Sequence, residues 1–188
     1  MLKKVIIAGI AGGLTLMVWA FLVNGIFGFR QSIDMKKVPN EAVVYQVLKQ
    51  HIAEPGKYLC NPGLTESGMF PLNEPVYGIL YGGVGHEAAG PLSVVLDFLL
   101  AIITVTIAAF LLSLTSDKII SSYYRKVLFF ILIGLIFAVS HDLRNYGIGN
   151  YPLHDALILA LHNILLWAVL GLITGLIIKR PVQPAGSD

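Results

Sequence analysis

Charged side chains are scarce in this chain, and their scarcity excludes most classes of soluble protein. They make up 13% of the 188 residues, whereas soluble domains average about 25%. Hydrophobic residues reach 56%, and the mean hydropathy is +0.76. The formal charge is only +2 and the basic residues are scattered, which gives no electrostatic footprint for nucleic acid. The composition therefore predicts an integral membrane protein.

Cysteine is nearly absent as well. Cys60 is the only cysteine, so no internal disulfide can form, and we interpret it as a small packed hydrophobe. A nucleotide-binding loop, a nucleophile signature and an internal repeat are also missing. The first two absences favour a protein that is not an enzyme. The missing repeat argues against a transporter built from duplicated halves.

Long apolar runs are what the chain has in abundance, and a helix that crosses a bilayer needs about 20 apolar residues. We predict an all-α membrane protein that forms a single membrane domain over residues 1–188. Its four predicted transmembrane helices cover residues 5–29, 92–114, 127–142 and 154–178. The first is interpreted as a retained helix, because no small-x-small cleavage site follows it.

Basic residues predict the orientation, because Lys and Arg in short flanking segments stay preferentially in the cytoplasm. They precede the first helix, join the second to the third, and follow the fourth. These residues are Lys3, Lys4, Lys118, Arg125, Lys126, Lys179 and Arg180. We therefore predict that both termini are cytoplasmic. We also predict that the second and third helices form a tight antiparallel hairpin with its turn in the cytoplasm.

The segment 30–91 between the first two helices is predicted to be a small α+β insert outside the cytoplasm. Its 5 basic residues are offset by 6 acidic ones. Asn40 is placed to cap an amphipathic helix of about three turns. Residues 57–60 and 76–81 favour β structure and are predicted to pair as a hairpin, which is marginally stable alone. We therefore expect the insert to rest on the helices or on a partner.

Small residues predict where helices approach closely inside the membrane. Gly9 and Gly13 in the first helix, and Gly171 and Gly175 in the fourth, have GxxxG spacing. We predict that these two faces meet within the molecule. Contact with a partner or a second copy is the alternative.

Ionisable residues gather at the predicted outer ends of the helices. Three dipeptides hold them: His86-Glu87, His141-Asp142 and His154-Asp155. Deeper in the membrane lie Asp97 of the second helix and His162 of the fourth. An ionisable group in a spanning helix costs about 2.5–3.5 kcal/mol on insertion scales, so each needs a partner. We predict that Asp97 and His162 form a structural, hydrogen-bonded pair.

Two other hypotheses use the same side chains. Imidazole and carboxylate together suit Fe, Cu or Zn, and two facing histidines can hold a haem. The candidate metal ligands are His86, His141, Asp142, His154, Asp155 and His162. A conduit for protons or a small solute along Asp97, His162 and Asn163 is the second hypothesis. The apolar second half of the fourth helix would end such a path midway.

Three short motifs resemble small bacterial multi-pass membrane proteins of an uncharacterised type. They are Met17-Val18-Trp19-Ala20-Phe21, Val38-Pro39-Asn40-Glu41 and Pro55-Gly56-Lys57-Tyr58. The resemblance implies a bacterial inner membrane and no activity. The sequence as a whole predicts an accessory or scaffolding subunit of a larger membrane complex. Its expected neighbours are lipid and either other membrane subunits or further copies of itself.

Overall fold

The computed structural model describes residues 1–33, 36–84, 90–148 and 151–179. The chain divides into a membrane unit, Met1–Asp34 with Pro91–Asp188, and an insert, Met35–Gly90. Four helices of the membrane unit are long and apolar enough, by length and composition, to span a bilayer. The chain is therefore a multi-pass membrane protein, and the predicted four spans are confirmed.

Ten helical or strand elements follow one another along the described chain, and two of the helices continue into π-helical segments. They are α1 (Leu2–Trp19) with its π segment Ala20–Ile26, α2 (Phe29–Ile33), α3 (Glu41–His51), β1 (Gly56–Cys60), β2 (Tyr77–Tyr81), α4 (Pro91–Ser113), α5 (Asp117–Ile120), α6 (Tyr123–Phe137) with its π segment Ala138–Leu143, α7 (Arg144–Ile148) and α8 (Leu153–Ile177). The four spans are α1, α4, α6 and α8, with α1 and α6 extended by their π segments.

The bounds of α4 and α8 agree with the prediction to within one residue. The first span ends earlier than predicted, at Ile26. It ends there because Gly28 has a φ of 63°, a left-handed conformation that glycine adopts readily and that interrupts a helix.

The third span begins earlier than predicted, at Tyr123 rather than at residue 127. Lys126, which the sequence placed in a loop, is therefore part of α6 and is buried.

The helices α1 and α8 pack against each other at the centre of the membrane unit. On the outside, α4 lies along α1 and α6 lies along α8, whereas α4 and α6 touch only slightly. The predicted tight hairpin of the second and third spans is therefore wrong. These two consecutive spans pack against different neighbours, and the short helix α5 lies in the connection between them.

Glycines allow the outer helices to approach closely. Gly9 and Gly13 face α4, and Gly171 and Gly175 face α6. A Cβ atom added to Gly171 would lie 2.9 Å from Cβ of Phe130, closer than real side chains come. Both GxxxG pairs thus serve packing within the molecule. The prediction that their faces meet is wrong, because each faces a different outer helix.

The end of the membrane unit that holds both Lys4 and Lys179, here called the basic end, is closed by hydrogen bonds to carbonyls at the end of α8 and just beyond it. Nζ of the buried Lys126 donates to the carbonyls of Gly175, in the last turn of α8, and of Ile178, the residue after it. A helix leaves its last four carbonyls without partners, so Lys126 completes the end of α8. Nζ of Lys4 donates at 2.6 Å to the carbonyl of Lys179, in the segment that follows the helix. The opposite end, from which the insert departs, is here called the insert end.

The insert contains α3 and a two-stranded antiparallel sheet. Gly56 of β1 pairs with Tyr81 of β2, and Cys60 pairs with Tyr77, so the predicted hairpin is confirmed. Asn40 precedes α3 as predicted, but its side chain forms no capping hydrogen bond. No residue in the described part of the insert, 36–84, is buried. The insert therefore has no hydrophobic core of its own. The interpretation of Cys60 as a packed side chain is wrong, because Cys60 is exposed.

Candidate functional site

A cavity of about 340 Å³ lies between α1, α4 and α8 and reaches from the insert end to the middle of the spans. Its polar lining consists of Trp19, Asn24, Arg30, Asp97, His162 and Asn163. The apolar lining consists of Leu16, Met17, Ala20, Val94, Phe98, Ala101 and Leu166. The described part of the membrane unit thus places six polar side chains around one space, five of them on spanning helices and the sixth, Arg30, on α2.

His162 is the most deeply held of these polar side chains, with 9% of its surface exposed. Its Nε2 accepts a hydrogen bond of 2.8 Å from the indole N–H of Trp19. The ring of Phe29 stacks on the imidazole at a centroid distance of 4.7 Å. Because Nε2 is an acceptor, the neutral ring carries its proton on Nδ1. This arrangement fixes both the plane and the tautomer of His162.

Two polar atoms beside the cavity lack a partner. Nδ1 of His162 and Oδ1 of Asn24 are both buried, and neither forms a hydrogen bond within the described residues. More than 90% of buried polar groups in proteins are paired, so each exception calls for an explanation. With Nδ1 protonated, the two atoms are of opposite kind: one is a donor and the other an acceptor.

Asp97 and His162, which were predicted to pair, both line this cavity. The hydrogen bond of His162 goes to Trp19 instead, and no hydrogen bond joins Asp97 to His162 in the described part of the chain. Asp97 is exposed. It lies six residues into α4, which at 1.5 Å per residue is about 9 Å from the start of the helix. Asp97 is therefore an ionisable group on a spanning helix that borders the cavity.

A second polar contact joins α8 to the π segment that follows α6. The side-chain amide of Asn163 donates to Oδ2 of Asp142 at 2.6 Å. Oδ1 of Asp142 lies 3.0 Å from Nδ1 of His141. The Asp142 carboxylate is buried and has a partner on each oxygen. The sequence singled out both residues but did not pair them.

The candidate metal ligands remain in separate places. His141 and His154 are 71% and 81% exposed, and the following residues, Asp142 and Asp155, hold their Nδ1 atoms at 3.0 and 3.2 Å. Within the described ranges, no three His, Cys, Asp or Glu side chains lie close enough to hold one metal ion. His86 and Glu87 lie outside the described residues. His162 is engaged with Trp19 and Phe29.

The polar side chains that the conduit hypothesis uses lie together in the cavity, but the cavity does not cross the whole membrane unit. Asp97, His162 and Asn163 all line the cavity. Toward the basic end its lining stops at Leu16, Ala101 and Leu166, close to the middle of their spans. Beyond these residues the described spans are joined by a packed apolar cluster. Its members include Val5, Ala8, Val105, Leu112, Phe130 and Leu170.

Sequence reasoning missed the roles of Trp19, Phe29 and Arg30 in this site. Trp19 and Asn24 are five residues apart, and at 100° per residue they would lie on different faces of an α-helix. The π segment Ala20–Ile26 has i→i+5 hydrogen bonds, which bring residues five apart above one another. A search for the 3.6-residue period cannot detect this. Both π segments of the described chain lie at the insert end, where such segments often mark functional sites.

Comparison of the chain with protein-family models, with curated proteins and with solved structures found no match.

Proposed function

We propose that this protein is an accessory or scaffolding subunit of a larger complex in the bacterial inner membrane, and that its insert docks on another subunit outside the cytoplasm. The observation that carries the proposal is the lack of any buried residue in the described part of the insert. A folded segment of this size normally buries apolar side chains to offset the conformational entropy that it loses on folding. Docking on a partner supplies that burial.

We expect the partner to bind at the surface of α3. Val43 and Val47 lie four residues apart and therefore on one face of the helix, and they are 64% and 51% exposed. Beside this helix, a groove of about 500 Å³ separates α3 from the hairpin, with Leu48, Ile52 and Leu80 among its lining residues. Apolar surface of this kind, rimmed by polar side chains, is typical of protein interaction sites.

The test is co-purification of the tagged full-length protein in a mild detergent, with the bound proteins quantified by mass spectrometry. Replacing Val43 and Val47 together by serine removes the apolar face of α3. We expect at least one membrane subunit to be lost from the purified material, while the amount of the protein itself is unchanged. The matched control replaces the exposed Gln46 and Gln50 of the same helix by serine and should retain that subunit.

Identical bound proteins for the two double variants would contradict docking through α3. A second copy of the chain is one possible partner, and it is recognised by co-purifying two differently tagged copies from one cell. A chain that purifies alone and unaggregated from native membranes would contradict the accessory role itself.

The proposed orientation, with both termini in the cytoplasm, is supported by the basic residues at the end that holds them. Cys60 offers a direct test, because it is the only cysteine and is exposed in β1. In spheroplasts, a membrane-impermeant maleimide should label Cys60 without lysis. Labelling that appears only after lysis would place the insert in the cytoplasm.

One observation favours a metal-binding protein as a second candidate function. His141 and His154 each have Nδ1 beside a buried carboxylate, that of Asp142 and that of Asp155 respectively. Imidazoles that bind a metal are commonly oriented by a carboxylate in this way. Elemental analysis of the gently purified protein tests this. About one Fe, Cu or Zn per chain, lost in His141→Ala and His154→Ala, would support it. Metal that is absent, or that survives both substitutions, would remove this candidate.

A further inference from the structure

We infer that the cavity at the insert end binds the head of a lipid-phase molecule that carries a neutral hydroxyl group, such as a fatty alcohol or a monoacylglycerol. The inference concerns the cavity between the spans and is independent of the proposed docking of the insert.

The two unpartnered atoms specify the chemistry of the head. Nδ1 of His162 carries the proton because the Trp19 indole donates to Nε2, so it offers a hydrogen bond. Oδ1 of Asn24 accepts one. A hydroxyl group both accepts and donates, so it is the smallest neutral group whose chemistry suits both atoms. A carbonyl or an ether oxygen satisfies only the donor, and an ammonium group satisfies only the acceptor.

The charges that line the cavity favour a neutral head. Asp97 supplies one negative charge and Arg30 one positive charge. A charged head of either sign would meet one attractive and one repulsive group, so the lining offers it no net attraction to offset its loss of hydration. A head without net charge avoids this cost. Additional hydroxyl groups, as in a glycerol head, can donate to Asp97 and accept from Arg30.

The size of the cavity and its position suit a ligand that arrives through the membrane. Its volume of about 340 Å³ lies near the lower limit of ligand pockets, about 300–1,000 Å³. It therefore holds a head and the first part of a chain, while the remainder of the chain stays in lipid. Met17, Ala20 and Val94 line it and are themselves exposed on the lipid-facing side of α1 and α4.

Binding includes a movement of lining side chains, because the two unpartnered atoms are covered in this arrangement. Met17 lines the cavity and is 42% exposed, and a methionine side chain changes rotamer easily. We expect movement of such lining side chains to uncover the two atoms for the incoming hydroxyl. Trp19 and Phe29 keep the imidazole in place during this movement.

The experiment measures saturable binding of radiolabelled oleyl alcohol to the full-length protein in lipid nanodiscs. Its methyl ether is the matched probe, because it has the same chain and an oxygen that accepts but cannot donate. Oleic acid, phosphatidylethanolamine and a short-chain quinone serve as competitors that represent anionic, zwitterionic and carbonyl heads. We expect about one molecule of alcohol per chain and binding at least about tenfold weaker for the ether, since one hydrogen bond is lost. Monoolein should displace the alcohol, and the other three competitors should not.

Two variants locate the binding. Ala20→Phe fills the cavity from a lining position without removing a polar group, and we expect it to abolish saturable binding. Val18→Phe is the control: Val18 is on the same helix, is 57% exposed and does not line the cavity. Both variants must elute as folded protein on size exclusion, so a loss of binding cannot be a loss of folding.

Equal affinity for the alcohol and its methyl ether would overturn the inference, as would preferred binding of the quinone, the acid or the zwitterionic lipid. Binding that survives Ala20→Phe would place the ligand elsewhere and overturn it too. The absence of saturable binding to the folded wild-type protein would mean that the two polar atoms are served by water alone.

Discussion

At the basic end of the membrane unit, a buried lysine, Lys126, donates to the carbonyls of Gly175 and Ile178, and Lys4 reaches the Lys179 carbonyl. At the insert end, buried atoms of Asn24 and His162 have no partner in the described residues, and a cavity lies beside them. The same four helices thus form a closed end, where polar groups complete the backbone, and an open end, where they surround a space. The polar groups at the basic end stabilise the fold by completing the backbone, whereas two of those at the insert end leave their hydrogen-bonding capacity unused.

The packing of the two halves follows the same division. Glycines of α1 and α8 let α4 and α6 approach closely in the basic half, and the apolar cluster fills the space between the spans there. At the insert end α1 and α6 continue into π segments, Ala20–Ile26 and Ala138–Leu143. Thr174 is an exception to the division, because its hydroxyl is buried near the basic end without a partner. We therefore expect substitutions to destabilise the basic half more than the insert end.

The largest difference is expected for a pair of glycines. Gly171→Leu forces a side chain into Phe130 and the backbone of Val127, so it should lower the free energy of unfolding by about 3 kcal/mol. Gly25→Leu is the matched change at the insert end, where a Cβ would meet only Phe21 at 3.6 Å, and it should have an effect below about 1 kcal/mol. Unfolding by SDS in mixed micelles measures both. Equal losses would show that the two halves are packed alike.

The next effect concerns Lys126. Replacing it with methionine keeps the length of the side chain but leaves the carbonyls of Gly175 and Ile178 unpaired, so we expect a loss of about 2 kcal/mol. Lys118→Met, at an exposed position, should change the stability by less than about 0.5 kcal/mol. The same SDS titration compares the two variants. A stable Lys126→Met protein would mean that α8 does not need its closing hydrogen bonds.

A smaller effect is expected for the hydrogen bond between Trp19 and His162. Trp19→Phe removes the donor, His162→Leu removes the acceptor, and the double variant completes a thermodynamic cycle. Hydrogen bonds between membrane helices average about 0.6 kcal/mol in such cycles, and we expect a coupling of about 1 kcal/mol because the acceptor is buried. A coupling of zero would remove this bond from the account of how the imidazole is held.

The smallest effect should have the opposite sign. Asn24→Leu and Thr174→Val each remove a buried polar atom without a partner, so each should raise the free energy of unfolding by up to about 1 kcal/mol. Only Asn24→Leu should also reduce the binding of oleyl alcohol, since Thr174 does not line the cavity. If Asn24→Leu destabilises the protein in the absence of ligand, its amide has a structural partner and the proposed contrast between the two ends fails.

The spans and the hairpin of the insert could be predicted from the sequence, because a long apolar run and a short β-favouring segment each carry a local signal. The neighbours of each span could not. The glycines of α1 were predicted to face α8, and they face α4, since GxxxG spacing marks a close contact but not the helix on the other side. Asp97 and His162 were brought to one cavity, as their depth implied. That the partner of His162 is Trp19 could not be predicted, because a hydrogen bond between two helices depends on how they are turned toward each other, and the 3.6-residue period of one helix does not reveal this.

The π segment Ala20–Ile26 makes the first span tolerant of a change in the number of its residues. A π turn holds about one residue more than an α turn, so the segment accommodates a residue that a regular α-helix could take up only by turning the rest of the helix. Deleting one residue between Trp19 and Asn24 would therefore let the segment return to α-helical hydrogen bonding while Arg30 and the residues that follow kept their places. The same deletion in the regular part of α1 would turn everything after it by about 100°. An alignment of related sequences should thus place a one-residue gap in this segment rather than elsewhere in the span.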